Sequence, residues 1–221
     1  MTGGHSLIPT ELYLVLEIDE TLGASSNAAL EAALAAAPFA SVLITATTGR
    51  PLAVPQANAI VEQLQAKNIA ALIADDPNLA RQLRADGVHL SWTKDQAVRF
   101  EEARDILGER FLIGVDAGRS RDDAMTLAEA GADYIAFGIP PHVENRTTAA
   151  ERQEDLVSWW SELFEIPCVA FDAADAEAAA RLARNGADFV AVKVRTSDAP
   201  DAARERVKLF AAAVNAAKEI V

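Results

Sequence analysis

Cysteine is almost missing from this chain. Cys168 is the only one in 221 residues, which excludes a disulfide framework and a cysteine metal cluster. His5, His89 and His142 are the only histidines, too scattered to form a histidine-rich metal site. Basic residues are few: 20 Lys and Arg stand against 33 Asp and Glu, for a net charge of −13. Such a surface repels nucleic acid and anionic lipid at long range, so neither is expected as a partner. Solubility and a cationic ligand are both consistent with it. No apolar run approaches the ~20 residues of a membrane span. Met1 to Pro9 lacks a charged segment followed by a long apolar one, so no secretion signal is predicted and the expected compartment is the cytoplasm. No glycine-rich G-x-G-x-x-G turn follows Leu16, which leaves a dinucleotide-binding sheet unsupported.

What the chain does have is alternation. Short apolar runs begin at Leu12, Ser41, Ile69, Gly87, Phe111, Tyr134, Pro167 and Phe189. Most lack polar alternation, as strands of a parallel sheet covered on both faces should. Between them lie stretches rich in Ala, Leu, Glu and Arg, such as Asn27–Ala37, Pro55–Lys67, Ala97–Leu107 and Ala176–Asn185, that read as helices. Asp122, Asp123 and Asp175 sit where helix caps or first-turn acids belong. Three units share one punctuation, Ala85-Asp86-Gly87-Val88, Gly131-Ala132-Asp133-Tyr134 and Gly186-Ala187-Asp188-Phe189. In each, a glycine able to take positive φ is read as ending a helix just before a strand. Eight strands alternating with helices predict a single (β/α)8 TIM barrel spanning residues 1–221, with 1–9 as a loose N-terminal extension. The longest irregular stretch is Ile139–Arg152.

Barrels of this kind place their chemistry at the C-terminal ends of the strands. There the sequence offers Glu17, Asp19 and Glu20, then Thr45 and Thr47, the doublet Asp75-Asp76, Trp92 with Asp95, Asp116, His142, Asp172, and finally Lys193 with Arg195. Asp75 and Asp76 suit either Mg²⁺ coordination or the capping of the next helix. His89, inside an apolar run, reads as a core histidine before it reads as a ligand. Asp116, Asp172 and Lys193 would meet at the mouth as an ion-paired cluster, structural or catalytic.

From Ala71 to Val192 the chain resembles the thiamine-phosphate synthase and thiazole tautomerase superfamily. The resemblance rests on Ala71-Leu72-Ile73-Ala74-Asp75, on Ala85-Asp86-Gly87-Val88-His89-Leu90, on Ile113-Gly114-Val115-Asp116, and on Gly131-Ala132-Asp133-Tyr134-Ile135-Ala136-Phe137-Gly138. The synthases join a pyrimidine methyl diphosphate to a thiazole phosphate and expel pyrophosphate with Mg²⁺. Carried over by position, the resemblance implies a barrel and a metal carboxylate at Asp75. It also implies losses. The family's Gln, Arg and Lys after the second strand fall on Leu43, Thr45 and Thr47. The Asn before the metal carboxylate falls on Ala74, and the second metal carboxylate on Lys94, with Asp95 one residue late. The serine after the fifth strand is Asp116, the lid after the sixth has no match in Ile139–Arg146, and the Gly-Gly phosphate loop is Asp172-Ala173. The tautomerase histidine falls on Gly118.

The expected function is therefore a thiamine-phosphate-synthase-like barrel with a diverged site and no efficient standard transferase activity. One alternative is an active synthase using Asp75 and Asp95 for Mg²⁺. Another is a non-catalytic protein that binds a small metabolite or a partner. Mg²⁺ is expected to bind weakly or not at all, and the candidate substrate-binding residues are Asp116, Asp172, Lys193, Arg195, Thr45 and Thr47. Lys193 is expected to pair with Asp172, closing the old phosphate site. A small-molecule ligand is expected, and self-association into a homo-oligomer stays open.

Overall fold

The computed structural model describes residues 9–19, 27–140 and 142–217. Most of the expected N-terminal extension, along with His5 and Glu20, lies outside the described residues. Eight parallel strands close into one barrel in chain order. They are β1 (Glu11–Ile18), β2 (Ser41–Ala46), β3 (Ala70–Ala74), β4 (Gly87–Leu90), β5 (Leu112–Asp116), β6 (Tyr134–Phe137), β7 (Cys168–Ala170) and β8 (Phe189–Arg195). The ring is shut by β1 against β8, with Val15 opposite Lys193 and Glu17 opposite Arg195. Helices α1 (Ala28–Leu34), α2 (Val54–Gln65), α3 (Pro77–Leu83), α4 (Gln96–Leu107), α5 (Arg121–Glu129), α6 (Arg146–Leu163), α7 (Ala176–Arg184) and α8 (Pro200–Ala217) form the outer layer.

Local chemistry starts these helices. Asp76 caps α3 by accepting from Leu79 N at 2.9 Å, with Pro77 in the first turn, so this half of the Asp75-Asp76 doublet is structural. Ser120 caps α5 and Asp175 caps α7 in the same way. Asn145 caps α6 by accepting from Thr148 N at 3.1 Å, so the irregular stretch expected to reach Arg152 ends before Arg146. The capping residue Asn145 was the missed signal.

The repeated Gly-Ala-Asp punctuation has a second purpose. Asp86, Asp133 and Asp188 accept from the amides of Ala71, Ile113 and Cys168 at 2.7, 2.7 and 2.8 Å. Each carboxylate leads into one strand and satisfies an amide at the start of the strand before it. Gly131 and Gly186 do adopt positive φ at the helix ends. Gly87 does not: Arg84 takes the left-handed position after α3 instead. Gly87 lies inside β4, where a Cβ would overlap the carbonyl of Leu112.

Even-numbered β1 and β8 side chains, among them Leu14, Leu16, Val190 and Val192, pack outward against the helices in the main core. The alternate side chains of the strands fill the lumen, where Tyr13, Leu43, Leu72, Tyr134, Ala136, Val169 and Ala191 form a separate buried cluster with Val15, Ala74, Phe171 and Phe189 at its edge. One contact fixes this packing. The ring of Tyr134 lies on Gly114 of the neighbouring strand, where any Cβ would run into it. The Gly of Ile113-Gly114-Val115 and the Tyr of Ala132-Asp133-Tyr134 are thus one steric pair. Gly114→Ala is expected to destabilise the barrel by about 1–3 kcal/mol or more through overpacking. Urea unfolding checks this, and adding Tyr134→Leu to Gly114→Ala should recover part of the loss.

Candidate functional site

The lumen is closed below the mouth by a buried polar chain. Tyr13 Oη and Tyr134 Oη are 2.9 Å apart, and Tyr134 Oη lies 3.0 Å from His89 Nδ1. His89 stacks on Phe171 with ring centroids 4.9 Å apart. Burial pushes the His89 pKa down to about 4, with Asp75 opposing that and Arg99 adding to it. The imidazole is therefore neutral, a satisfied core residue. Burial likewise pushes the Tyr13 hydroxyl far up, so it stays protonated.

Above this floor the strand ends divide by charge. On one side, Lys193 and Arg195 lie two residues apart on β8 and share a face. Both pair with Glu17 of β1, Lys193 through its Nζ and Arg195 through Nε at 3.2 Å. Glu17 has only 10% of its side chain exposed, so these cations neutralise a nearly buried carboxylate. The expected Lys193–Asp172 pair is not formed. Asp172 has φ 58°, and its Oδ2 accepts from Ile139 N at 2.9 Å, toward β6 and away from β8. Barrel closure brings Glu17 to Lys193 instead.

Arg206 of α8 joins this cationic side. It donates to the Lys193 carbonyl at 3.0 Å and pairs with Asp198 at 2.8 Å. Lys193, Arg195, Arg206, Ala173, Ala174 and Phe210 line a cavity of about 320 Å³ between the β7–α7 loop, the end of β8 and α8. Among the described residues the ion pairs join these three cations to two carboxylates, Glu17 and Asp198, so the pairs themselves carry one more positive charge than negative. A larger cavity of about 600 Å³, lined by Gln65, Arg84, Asp86 and Arg110 among others, lies at the opposite end of the barrel, away from the strand C-termini.

The other side of the mouth is acidic. Asp116 Oδ1 accepts from Gly118 N at 2.7 Å and from Gly138 N at 3.2 Å. A Cβ on Gly138 would lie 2.5 Å from Asp116 Oδ2 and 3.4 Å from Asp172 Oδ2, so the two carboxylates converge on the space that glycine leaves. Burial raises the Asp116 pKa to about 7; the two amides oppose this, and the charges of Asp172 and Asp75 add to it. Trp92 lies over Gly118, and its ring is 5.5 Å from that of His142.

Asp75, at the end of β3, accepts through both of its oxygens. Its Oδ1 accepts from Ser91 N at 2.8 Å and from Arg99 Nη2 at 2.7 Å, and its Oδ2 from Ser91 Oγ at 2.7 Å. Burial works against its charge, but the Arg99 and Ser91 hydrogen bonds outweigh that and hold its pKa below the ordinary carboxylate range. Asp95 stands exposed at the N-cap position of α4. Among the described residues no group of three or more His, Cys, Asp or Glu is arranged to hold a metal. A divalent cation at Asp75 would meet a guanidinium already bonded to Oδ1, and Lys94 stands where the resemblance implies the second carboxylate. This donor set does not fit Mg²⁺ as it stands. Nor do Thr45 and Thr47 present free hydroxyls: they turn toward the carbonyls of Ala46 and Ile18 at 3.4 and 3.2 Å. Leu43 is buried in the lumen.

Of the groups that matter here, Arg99 and Arg206 were not singled out from the sequence, because each sits within an ordinary charged helix pattern. The titration of Asp116 is testable by linkage. Its folded pKa lies above the unfolded value of about 3.9. The folded state therefore holds an extra proton between about pH 4 and 7, and stability from this group falls as pH rises through that window. The melting temperature of Asp116→Asn minus that of wild type should therefore rise from pH 5 to pH 8. A pH-independent difference would show that Asp116 titrates normally.

A sequence model of the family described as thiamine monophosphate synthase matches residues 12–195. The thiamine-phosphate synthase of Erythrobacter litoralis is 38% identical over 193 residues, covering 84% of this chain and 87% of that protein. The thiamine-phosphate synthase of Rhodospirillum centenum is 36% identical over 173 residues, 77% of this chain and 76% of its own length. A solved thiamine phosphate pyrophosphorylase from Pyrococcus furiosus superposes with a TM-score of 0.69 at 20% identity, over 93% of this chain and 96% of that one, a likeness of fold. Model match, relatives and barrel agree: the chain belongs to the thiamine-phosphate synthase family.

Proposed function

We propose that this chain is a thiamine-phosphate-synthase-type transferase with a rebuilt mouth, joining a pyrimidine methyl diphosphate to a thiazole phosphate and releasing pyrophosphate. The observation that carries the reading is the cationic cavity at the ends of β7 and β8. Lys193, Arg195 and Arg206 line it, and it can take the phosphate of the thiazole partner by charge-assisted hydrogen bonds. The kinship with synthases across more than three quarters of the chain supports the same chemistry.

In this reaction the bond between the pyrimidine methylene and the diphosphate oxygen breaks. Its electron pair leaves on pyrophosphate, and the methylene bonds to the thiazole. Negative charge grows on the leaving group, so fixed cations help most where they face it. Here the cavity residues bind and orient the phosphate partner, which lowers the entropic part of the barrier. The Tyr13–Tyr134–His89 floor sets the depth to which either ring can enter. Asp116 and Asp172 face the mouth from the opposite side and favour the neutral or amino-bearing end of a ligand over its phosphates.

A second reading, a relative without efficient standard transferase activity, is favoured by the lumen-buried Leu43 and by Thr45 and Thr47, whose hydroxyls are turned to backbone carbonyls. The same experiment decides between them. Pyrophosphate release is measured with the two substrates for wild type and for Arg195→Met and Arg206→Met. The transferase reading expects enzymic turnover in wild type. Each variant should lose about 1.5–3 kcal/mol of a charge-assisted contact, a decrease in kcat/KM of roughly tenfold to a hundredfold. Wild-type release no faster than the uncatalysed reaction would establish the second reading.

A further inference from the structure

The carboxylate that the family resemblance marks for a metal is held here by a side-chain cation. Arg99, one turn into α4, places Nη2 at 2.7 Å from Asp75 Oδ1 and Nη1 at 2.8 Å from the Ser91 carbonyl. Ser91 closes the arrangement from the other side, its amide on Oδ1 and its hydroxyl on Oδ2. Both carboxylate oxygens thus carry donors, and Oδ1 already holds a cation. The backbone commits to this: Asp75 sits at φ 59°, a region that a non-glycine residue occupies only when its surroundings hold it there. Asn68 and Arg84, which share that conformation, lie at helix ends. Asp75 and Asp172 hold it at strand ends on the mouth.

We propose that the guanidinium of Arg99 stands in the place of a divalent cation at Asp75, so that anion handling on this side of the mouth is done by a protein-borne charge. A guanidinium is permanently charged and has five N–H donors. It can hold Asp75 and Ser91 and still donate to the oxygens of a phosphate or diphosphate. A metal ion adds two charges but must be recruited from solution, while Arg99 adds one that is always present. Lys94, exposed at the position of the second metal carboxylate, moves the local balance the same way. The proposal rests on the family reading for the expectation of a cation beside Asp75. Its test reads metal occupancy, so a chain without transferase activity still answers it.

The test is a Mn²⁺ titration of the ¹⁵N-labelled full chain, followed by paramagnetic broadening of the Ser91 amide, which is bonded directly to Asp75. In wild type, Ser91 should broaden only at the Mn²⁺ concentrations that affect amides beside exposed carboxylates such as Asp201. In Arg99→Gln it should broaden at a Mn²⁺ concentration at least tenfold lower, and adding Asp75→Asn should abolish that gain. Arg99→Lys, which keeps the charge, should behave as wild type. Wild-type Ser91 broadening ahead of the exposed sites would overturn the proposal, as would Arg99→Gln broadening no earlier than wild type. If Arg99→Gln loses its dispersed spectrum, wild type and Arg99→Lys still decide, since selective broadening in either contradicts the proposal.

Discussion

The floor beneath the mouth stands on one close contact, the Tyr134 ring on Gly114. It lets an aromatic side chain lie flat across the lumen of an eight-stranded barrel and carry its hydroxyl to both Tyr13 and His89. Three strands besides its own are thereby tied through the centre: β1, β4 and β5. A buried polar chain of this kind rigidifies when every member is satisfied and destabilises when one is not. His89 is kept neutral by burial, so the floor holds no charge that would compete with the charges above it.

Above that floor the mouth is split. β8 and α8 supply a cation-rich wall beside Glu17 of β1, β5 and the loop after β7 supply two carboxylates that converge on Gly138, and β3 with α4 supplies a carboxylate held by a guanidinium. The split matters because the chain as a whole carries −13. An anionic ligand approaches against the long-range field, and only a local excess of cations in a walled cavity reverses it at the point of binding. The same field with the carboxylate pair disfavours a second anion near Gly138. A ligand with a phosphate at one end and a neutral or amino-bearing ring at the other matches both walls.

Much of the fold was legible in the sequence. Buried parallel strands read as unbroken apolar runs, and all eight were placed, because that pattern depends on burial on both faces and on nothing distant. The repeating Asp of Asp86, Asp133 and Asp188 was visible as a pattern, but its task was not. Each accepts from a strand roughly 15 to 20 residues away, a pairing that only the barrel register reveals. The site was legible as a set of strand-end positions and illegible as a set of partners. Lys193 was expected on Asp172, yet the closure of β8 on β1 gave it Glu17, and a left-handed backbone turned Asp172 toward Ile139. Arg99 and Arg206 were missed because a helix period says which side faces outward, not which charged residue at its rim reaches over a strand end.

The central claim is that the cationic wall takes the phosphate of the ligand, and calorimetric titration of thiazole phosphate into the protein tests it most directly. The account predicts saturable binding to wild type that weakens at least tenfold in the Arg195→Met/Arg206→Met double variant and persists in Asp116→Asn. No binding to wild type, or equal binding to wild type and the double variant, would contradict it.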